Sequence, residues 1–304
     1  MTLISAFKDI LNKLPYISGL YQENHQFKTN SCFPAGHYYS PIVSVADVEK
    51  RVASIWESEA VDGISGIDLK KEEQLALVRN FYEYYEEIPF GDHKKDGLRY
   101  YFVNDFYLYT DAIILYSMMR HYKPKHIVEV GSGFSSAVML DTNELFFDKQ
   151  IKLTFIEPYT ERLNTLLNES DKSATTIIQQ GVQSVSLEVF DQLEAGDILF
   201  IDSTHVVKTG SDVNYIVFEI LPRLRSGVLV HFHDIFYPFE YPKEWVLEGR
   251  NWNEAYFLKA FLMYNEGFEI KVFSDYLHRH HGEVFDGMPL CFKNSGGNIW
   301  LERK

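Results

Sequence analysis

The 304-residue sequence predicts an α/β fold: a doubly wound, mostly parallel sheet of seven strands with a helical N-terminal extension. Two observations support this prediction. From about residue 105 onward, short apolar segments alternate with helical segments, as in a parallel sheet that is covered on both faces. Before that point, apolar residues recur at helical spacing between turn-rich loops. We therefore expect a helical cap or lid in residues 1–95 and a sheet domain in residues 96–304.

The individual elements follow from the spacing of apolar residues and from the position of turn formers. The predicted strands cover residues 126–130, 152–156, 175–179, 197–201, 228–233, 269–273 and 299–302. The predicted helices cover residues 45–59, 69–87, 111–121, 135–147, 161–168, 211–224 and 253–265. Residues 32–41 and 62–68 are predicted to be ordered loops, the first because it mixes Pro, Gly and aromatic residues.

Composition and charge exclude several classes of partner. The formal net charge of −14 argues against nucleic acid, because surfaces that bind a phosphate backbone are basic. The 2 cysteines, Cys32 and Cys291, lie far apart and indicate a reducing compartment without a disulfide framework. The N-terminal segment MTLISAFKDILNKL lacks the apolar core of a signal peptide, and the longest apolar segments are too short to cross a membrane. We expect a cytoplasmic protein with no membrane or nucleic-acid partner.

The segment HIVEVGSGFSS, residues 126–136, joins the first predicted strand to a helix. Gly131 permits a tight turn there, and Gly133 allows the backbone to approach a ligand closely. Ser135 and Ser136 are candidates for capping the helix, whose N-terminus favours an anionic group. A turn without a ligand is the alternative, but the strand–turn–helix context favours a Rossmann-like nucleotide site.

Glu157 ends the second predicted strand, where an acidic side chain can accept hydrogen bonds from ribose hydroxyls. Taken alone, a surface glutamate at a strand end is the simpler interpretation. Ser135, rather than a third glycine, stands two residues after Gly133. This replacement weakens the case for NAD more than the case for S-adenosylmethionine (SAM), because SAM has no pyrophosphate.

Four motifs follow in order: EVGSGFSS, IEP at 156–158, QQGVQSV at 179–185 and DILFIDSTHV at 197–206. Together they resemble the motifs of the class I SAM-dependent methyltransferases, over residues from about 100 to 304. FPAGHYYSP, GLRYYF and HFHDIFYPFEYP resemble segments of a bacterial subgroup of that superfamily. The resemblance implies that residues 96–304 bind SAM. The implied cofactor contacts are Glu129, Gly131, Ser132, Gly133, Glu157, Gln180 and Val182.

Polar residues cluster at the ends of the fourth and fifth predicted strands, which are neighbours in such a sheet. In one interpretation Asp202 or His233, with His205 nearby, is catalytic and takes a proton from an acceptor hydroxyl. In another, Asp202, His231, His233 and Asp234 bind a divalent metal, and two histidines with one carboxylate also suit non-haem iron. Related metal-dependent O-methyltransferases carry acidic residues at these strand ends, so the resemblance permits a metal. In the third, His231 is a core histidine and Asp234 caps a turn.

Two further motifs have a simpler interpretation than a ligand site. HRHH at 278–281 is predicted to be a solvated loop rather than a metal site. His37 is a candidate substrate contact. Aromatic faces suit a sulfonium cation, but most of the nearby tyrosines are expected to pack the N-terminal helices onto the sheet. These tyrosines are Tyr38, Tyr39, Tyr100, Tyr101 and Tyr107.

The sequence leaves three hypotheses for function. The first is an O-methyltransferase that uses SAM, with or without a divalent metal, to modify a small hydroxylated metabolite or a saccharide. The second is a metal-dependent hydroxylase on the same fold. The third is a non-catalytic protein that binds SAM or a nucleotide, since a fold does not determine a function. The aromatic N-terminal region is either a lid or the surface of a homodimer.

Overall fold

The computed structural model describes Leu11 and residues 14–304. Its centre is one seven-stranded sheet with the strand order β3-β2-β1-β4-β5-β7-β6. The strands are β1 His126–Val130, β2 Lys152–Ile156, β3 Thr176–Ile178, β4 Ile198–Ile201, β5 Leu229–His233, β6 Phe268–Phe273 and β7 Asn298–Arg303. The first five strands pair in parallel, and β7 lies antiparallel between β5 and β6. The predicted fold class is therefore confirmed.

Helices cover the sheet and precede it along the chain. They are α1 Pro15–Asn30, α2 Val45–Ile55, α3 Lys71–Asn80, α4 Tyr82–Tyr85, α5 Tyr109–Tyr122, α6 Phe134–Phe146, α7 Glu161–Leu166, α8 Glu169–Ala174, α9 Glu188–Asp191, α10 Asp212–Tyr215, α11 Lys243–Leu247, α12 Glu254–Leu262 and α13 Ser274–His280. A π-helical segment, Ile216–Ile220, continues α10. Short 3-10 helices occupy Glu57–Ala60, Val182–Ser184, Leu221–Arg223, Gly282–Phe285 and Pro289–Lys293.

The described residues form two compact units. The smaller unit comprises those up to Ile55 together with residues 243–251, and in it α11 packs against α2. The larger unit comprises residues 56–242 and 252–304 and contains the whole sheet. The predicted domain boundary at residue 95, with a helical cap or lid before it and a SAM-binding domain after it, stays a prediction.

The interior strands of the sheet are mostly apolar because both of their faces are buried. Every residue of β1, β4 and β5 is buried, including His231 and Glu129. At roughly 25 cal/mol per Å² of buried apolar surface, these strands supply much of the hydrophobic stabilisation of the fold. The chain leaves β1 toward β2 on one side and reaches β4 on the other. The carboxyl ends of β1 and β4 therefore form the crevice where ligands bind in open α/β sheets.

Most predicted strands and helices are confirmed to within a few residues, with two exceptions, and five helices, α1, α8, α9, α11 and α13, were not predicted. The helix predicted over 69–87 is interrupted at Phe81, between α3 and α4. The helix predicted over 211–224 changes to π and then 3-10 geometry, next to Pro222, which has no N–H to donate. Residues 169–174, which received no prediction, form α8. Residues 32–41 and 62–68 are loops, as predicted.

The prediction of a solvated loop for residues 278–281 is wrong. Residues 278–280 end α13, and His281 follows it; His278 and His281 face inward, whereas Arg279 is exposed. The ring of His278 stacks on Phe285 with 4.1 Å between centroids, and burial lowers the pKa of His278 to about 4. His281 is also buried, with Nε2 3.1 Å from the hydroxyl of Tyr276. The polar sequence of this segment therefore gave no sign that the side chains of His278 and His281 face inward.

The tyrosines before β1 divide into two groups. Tyr100 and Tyr107 are buried in the larger unit, as the packing interpretation predicts. Tyr38 and Tyr39 contradict it, since they are 81% and 64% exposed. The ring of Tyr38 stacks on that of His37, and the ring of Tyr39 meets it at a tilt; His37 stays a predicted substrate contact. The N-terminal segment used to argue against a signal peptide lies mostly outside the described residues. No helix in the described part of the chain is long and apolar enough to cross a membrane.

Candidate active site

The turn after β1 is held against the end of β4. Gly131 has a φ of +85°, which a residue with a side chain rarely adopts. A Cβ on Gly131 would lie 1.7 Å from the carbonyl oxygen of Asp202. The N–H of Asp202 donates to the carbonyl of Val130 at 2.8 Å, and the N–H of Gly131 donates to Ile156 at 3.0 Å. Glycine is required here by the close contact between two strand ends, which places the turn next to Asp202.

Glu129 lies beneath the turn and is fully buried. Its carboxylate accepts hydrogen bonds from the hydroxyls of Ser135, at 2.6 Å, and Ser136. The hydroxyl of Ser136 in turn accepts from the N–H of Gly133 at 3.0 Å, so it acts as the predicted cap. Burial raises the pKa of Glu129 to about 8. The structure thus gives Glu129 partners at the start of α6, while its implied contact with the cofactor stays a prediction.

Glu157 connects the end of β2 to the glycine turn. Its carboxylate accepts from the N–H of Ser132 at 3.1 Å and from the N–H of Tyr159 at 2.7 Å. These two bonds orient the carboxylate beside the turn and leave it lone pairs for a ligand. At the end of β3, Gln180 is exposed and Val182 is buried at the start of a 3-10 helix. Their proximity to an adenine stays a prediction.

The ends of β4 and β5 bring together one histidine and two carboxylates. Ligand atoms of Asp202, His233 and Asp234 all lie within 4.8 Å of one another, an arrangement that could hold a metal ion. The Nε2 atom of His233 is 3.6 Å from Oδ1 of Asp234. The side chain of Asp202 is 32% exposed and that of Asp234 is 18% exposed, whereas His233 is nearly buried. A small ligand can therefore reach the carboxylates from solvent.

His205 joins this group from the loop after β4. Its Nε2 atom lies 3.4 Å from Oδ1 of Asp202 and 3.5 Å from Oδ2 of Asp234. Its Nδ1 atom lies 2.9 Å from Oε2 of Glu254, which is buried in the first turn of α12. The N–H groups of Asn253 and Glu254 both donate to the backbone carbonyl of His205. The imidazole of His205 thus lies between the carboxylate of Glu254 at Nδ1 and the carboxylates of Asp202 and Asp234 at Nε2.

The charges in this cluster are strongly coupled. Burial alone would lower the pKa of both histidines, but the surrounding carboxylates outweigh it and raise both pKa values. Burial alone would raise the pKa of Asp202. The nearby positive charges outweigh burial, so the net shift of this pKa is downward; they belong to His233, His205 and, more weakly, Arg162. Burial raises the pKa of Asp234 above its usual range. Asp202 is therefore the carboxylate most strongly held in its ionised form.

His231 shares a strand face with His233, as the alternation predicts, but its surroundings are different. Its ring stacks on Phe200 with 3.8 Å between centroids and meets Trp300 at 4.7 Å. It is fully buried, and burial lowers its pKa well below the usual value. The metal group found among the described residues does not include it. These contacts favour the interpretation of His231 as a core histidine.

Sequence reasoning missed Glu254 and Arg162 near the site, and it predicted only a packing role for Tyr107. Glu254 contacts His205 from a distant helix, and no spacing in the sequence indicates that pair. Tyr107 packs on His233 with 5.2 Å between ring centroids. Arg162 reaches the glycine turn from α7, with its Cδ 3.3 Å from the place that a Cβ of Gly133 would take. Each contact depends on the packing of elements far apart in the chain.

Residues 128–235 match the family described as Methyltransferase domain, a span that contains the glycine turn, Glu157 and the polar cluster. The chain is also 32% identical to an uncharacterized protein of Archaeoglobus fulgidus over 193 residues, which are 62% of this chain and 86% of that relative. The chain belongs to the class I SAM-dependent methyltransferase superfamily. The predicted resemblance is thereby confirmed at the level of the superfamily.

Solved methyltransferases are similar to this chain only distantly. A methyltransferase of Podospora anserina bound to S-adenosylhomocysteine (SAH) is 15% identical, with a TM-score of 0.40, and the match covers 90% of this chain and 99% of that one. The O-methyltransferase TomG of Streptomyces achromogenes, in complex with SAM, is 12% identical, with a TM-score of 0.41 and coverages of 83% and 96%. The fold assignment of this methyltransferase therefore rests on its own strand order.

Features of this methyltransferase fit the cofactor and a cation. The turn contains a glycine that no other residue can replace, beside an acidic strand end and the start of the 13-residue helix α6. The hydroxyl of Ser203, next to Asp202, is buried and has no hydrogen-bond partner in the described part of the chain. The same holds for Nδ1 of His233. An O, N, O donor set also suits a divalent cation.

Proposed function

We propose that this protein is a SAM-dependent O-methyltransferase whose acceptor is a small hydroxylated metabolite or a saccharide. The observation that carries the proposal is the position of the Asp202, His233 and Asp234 group. It lies at the adjoining ends of β4 and β5, and Asp202 also touches the glycine turn. A site for the cofactor and a site for deprotonation of the acceptor are therefore in contact.

The chain's own residues orient the cofactor in this proposal. Glu157 accepts hydrogen bonds from the ribose hydroxyls, while the backbone at Gly131 and Gly133 lies against the cofactor. SAM supplies an electrophilic methyl group on a sulfonium sulfur. The negative charge of the cluster around Asp202 would stabilise a sulfonium cation bound at the glycine turn.

Asp202 takes the proton of the acceptor. The acceptor oxygen forms its bond to the methyl carbon as the bond from that carbon to sulfur breaks, which leaves SAH, and the hydroxyl proton passes to a base. A base must be ionised before the reaction, and the neighbouring histidines lower the pKa of Asp202 while the pKa of His233 is raised. We therefore assign Asp202 as the base, His205, whose Nε2 lies 3.4 Å from its carboxylate, as the residue that positions it, and His233 as a neighbouring charge.

A divalent cation is the second element of the proposal. Asp202, His233 and Asp234 would hold it, and a cation there would stabilise the ionised acceptor oxygen. The donor set consists of one histidine and two carboxylates, and it suits magnesium or manganese. An iron hydroxylase site is expected to have two histidines and one carboxylate instead. The structure therefore gives no support to the hydroxylase hypothesis.

Transfer of a labelled methyl group tests the proposal. Purified protein is incubated with methyl-labelled SAM and a panel of phenols, hydroxy acids and sugars, with magnesium or with a chelator. We expect transfer to at least one hydroxyl compound, and a loss of about 100-fold or more in Asp202→Asn with unchanged affinity for SAM. His233→Ala should lose activity as well. Full activity in both variants would contradict the assigned site, and transfer only to amine or thiol compounds would contradict O-methylation.

A further inference from the structure

The side chain of Arg162 lies over the glycine turn at Gly133. The side chain is exposed, and its aliphatic part lies over Gly133. The guanidinium carbon is 3.7 Å from the centre of the Phe106 ring. Phe106 itself stacks on Phe134, the first residue of α6, with 5.9 Å between centroids. The guanidinium thus lies against an aromatic ring beside the glycine turn.

Arg162 forms no ion pair with a described carboxylate, although its charge acts at longer range on Asp202. No described carboxylate lies within 4.0 Å of its guanidinium, whereas Arg99, Arg120, Arg223 and Arg279 each have one. Stacking uses the face of a guanidinium and leaves its N–H edge available for hydrogen bonds. Two parallel N–H donors match the geometry of a carboxylate. The edge of Arg162 is therefore prepared for an anionic group that the chain itself does not provide.

SAM carries one anionic group, the carboxylate of its methionyl part. If Glu157 binds the ribose and the sulfonium faces Asp202, the methionyl part lies near the glycine turn that Arg162 covers. We propose that Arg162 binds this carboxylate, with Phe106 holding the guanidinium in place. The proposal rests on the proposed function, because it assumes that SAM is the cofactor. It assigns to Arg162 the recognition of the amino-acid end of SAM and SAH.

A comparison of two ligands isolates this contact. SAH contains the carboxylate, whereas 5′-methylthioadenosine has the same nucleoside and sulfur but lacks the amino-acid part. Both are titrated into the full-length protein by calorimetry. We expect Arg162→Met to weaken SAH binding roughly 10- to 100-fold, the range for a hydrogen bond to a charged group, and to leave 5′-methylthioadenosine binding unchanged. The SAH affinity of Arg162→Lys should lie between those of the wild type and Arg162→Met, because lysine keeps the charge but loses the two parallel N–H donors.

Arg79→Met is the matched control. Arg79 is an exposed arginine near the end of α3, far along the chain from the site, with no ion pair to a described residue. This variant should bind both ligands like the wild type. If Arg162→Met weakened the binding of both ligands equally, the proposal would be overturned. An unchanged affinity for SAH would also overturn it, and is the result expected if Arg162 binds an anionic acceptor instead. Failure of the wild type to bind either ligand would instead overturn the proposed function, and this inference with it.

Discussion

At the scale of single residues, Gly131 ties the fold to the site. Replacing it with alanine requires a φ of +85° and places a Cβ 1.7 Å from the carbonyl oxygen of Asp202, so the backbone must move. We expect Gly131→Ala to reduce the free energy of unfolding by on the order of 4 kcal/mol. Gly210→Ala is the control, since Gly210 has a φ of +73° but open space around it. That variant should cost only ~1 kcal/mol. If urea denaturation showed equal losses of unfolding free energy in the two variants, the close contact between Gly131 and Asp202 would be contradicted.

Glu129 makes stability depend on pH. Its pKa is about 8 in the folded protein, while the ordinary value is 4.5. Between these values the folded state binds more protons than the unfolded state, so the free energy of unfolding falls as pH rises. The contribution is about 1.4 kcal/mol per pH unit.

Glu129→Gln removes this titration and keeps a side chain of the same shape. The stability advantage of the wild type over the variant should therefore shrink between pH 5.5 and pH 7.5. Urea denaturation of both proteins at the two pH values measures it. A difference between the two proteins that does not change with pH would show that Glu129 is ionised throughout this range.

At the scale of elements, Arg99 fastens the segment before α5 to two helices. Its guanidinium donates to Asp141 of α6 at 2.7 Å and to Asp171 of α8 at 2.6 Å, and all three side chains are buried. The backbone N–H of Tyr100 also donates to Asp141. This network fixes the segment that carries Phe106 and Tyr107 beside the crevice.

Arg99→Met leaves the two aspartates buried without their cation. Breaking a buried pair in this way costs roughly 3–5 kcal/mol. Arg223→Met breaks the exposed pair with Asp191 and should cost less than about 1 kcal/mol. Thermal or urea denaturation of the two variants measures the difference. If Arg99→Met were as stable as Arg223→Met, the network would not be what holds the segment in place.

At the scale of the whole molecule, the local patterns predicted the elements well because the parallel strands are continuous apolar segments. The position of β7 between β5 and β6 was not predictable, since it depends on long-range antiparallel pairing. Strand alternation placed His231 and His233 on one face, but only packing against Phe200 and Trp300 separates their roles. The contact of Glu254 with His205 likewise depends on where α12 meets the loop after β4.

The central claim is that this chain binds SAM at the glycine turn beside Glu157. Calorimetric titration of SAM into the wild type and into Glu157→Ala tests it most directly, with Glu266→Ala, an exposed carboxylate elsewhere, as control. We expect saturable binding of one SAM per chain by the wild type and the control. Glu157→Ala should bind roughly 10-fold or more weakly, because two hydrogen bonds to a charged group are lost. Absence of binding by the folded wild type, or equal affinity in Glu157→Ala, would contradict the claim.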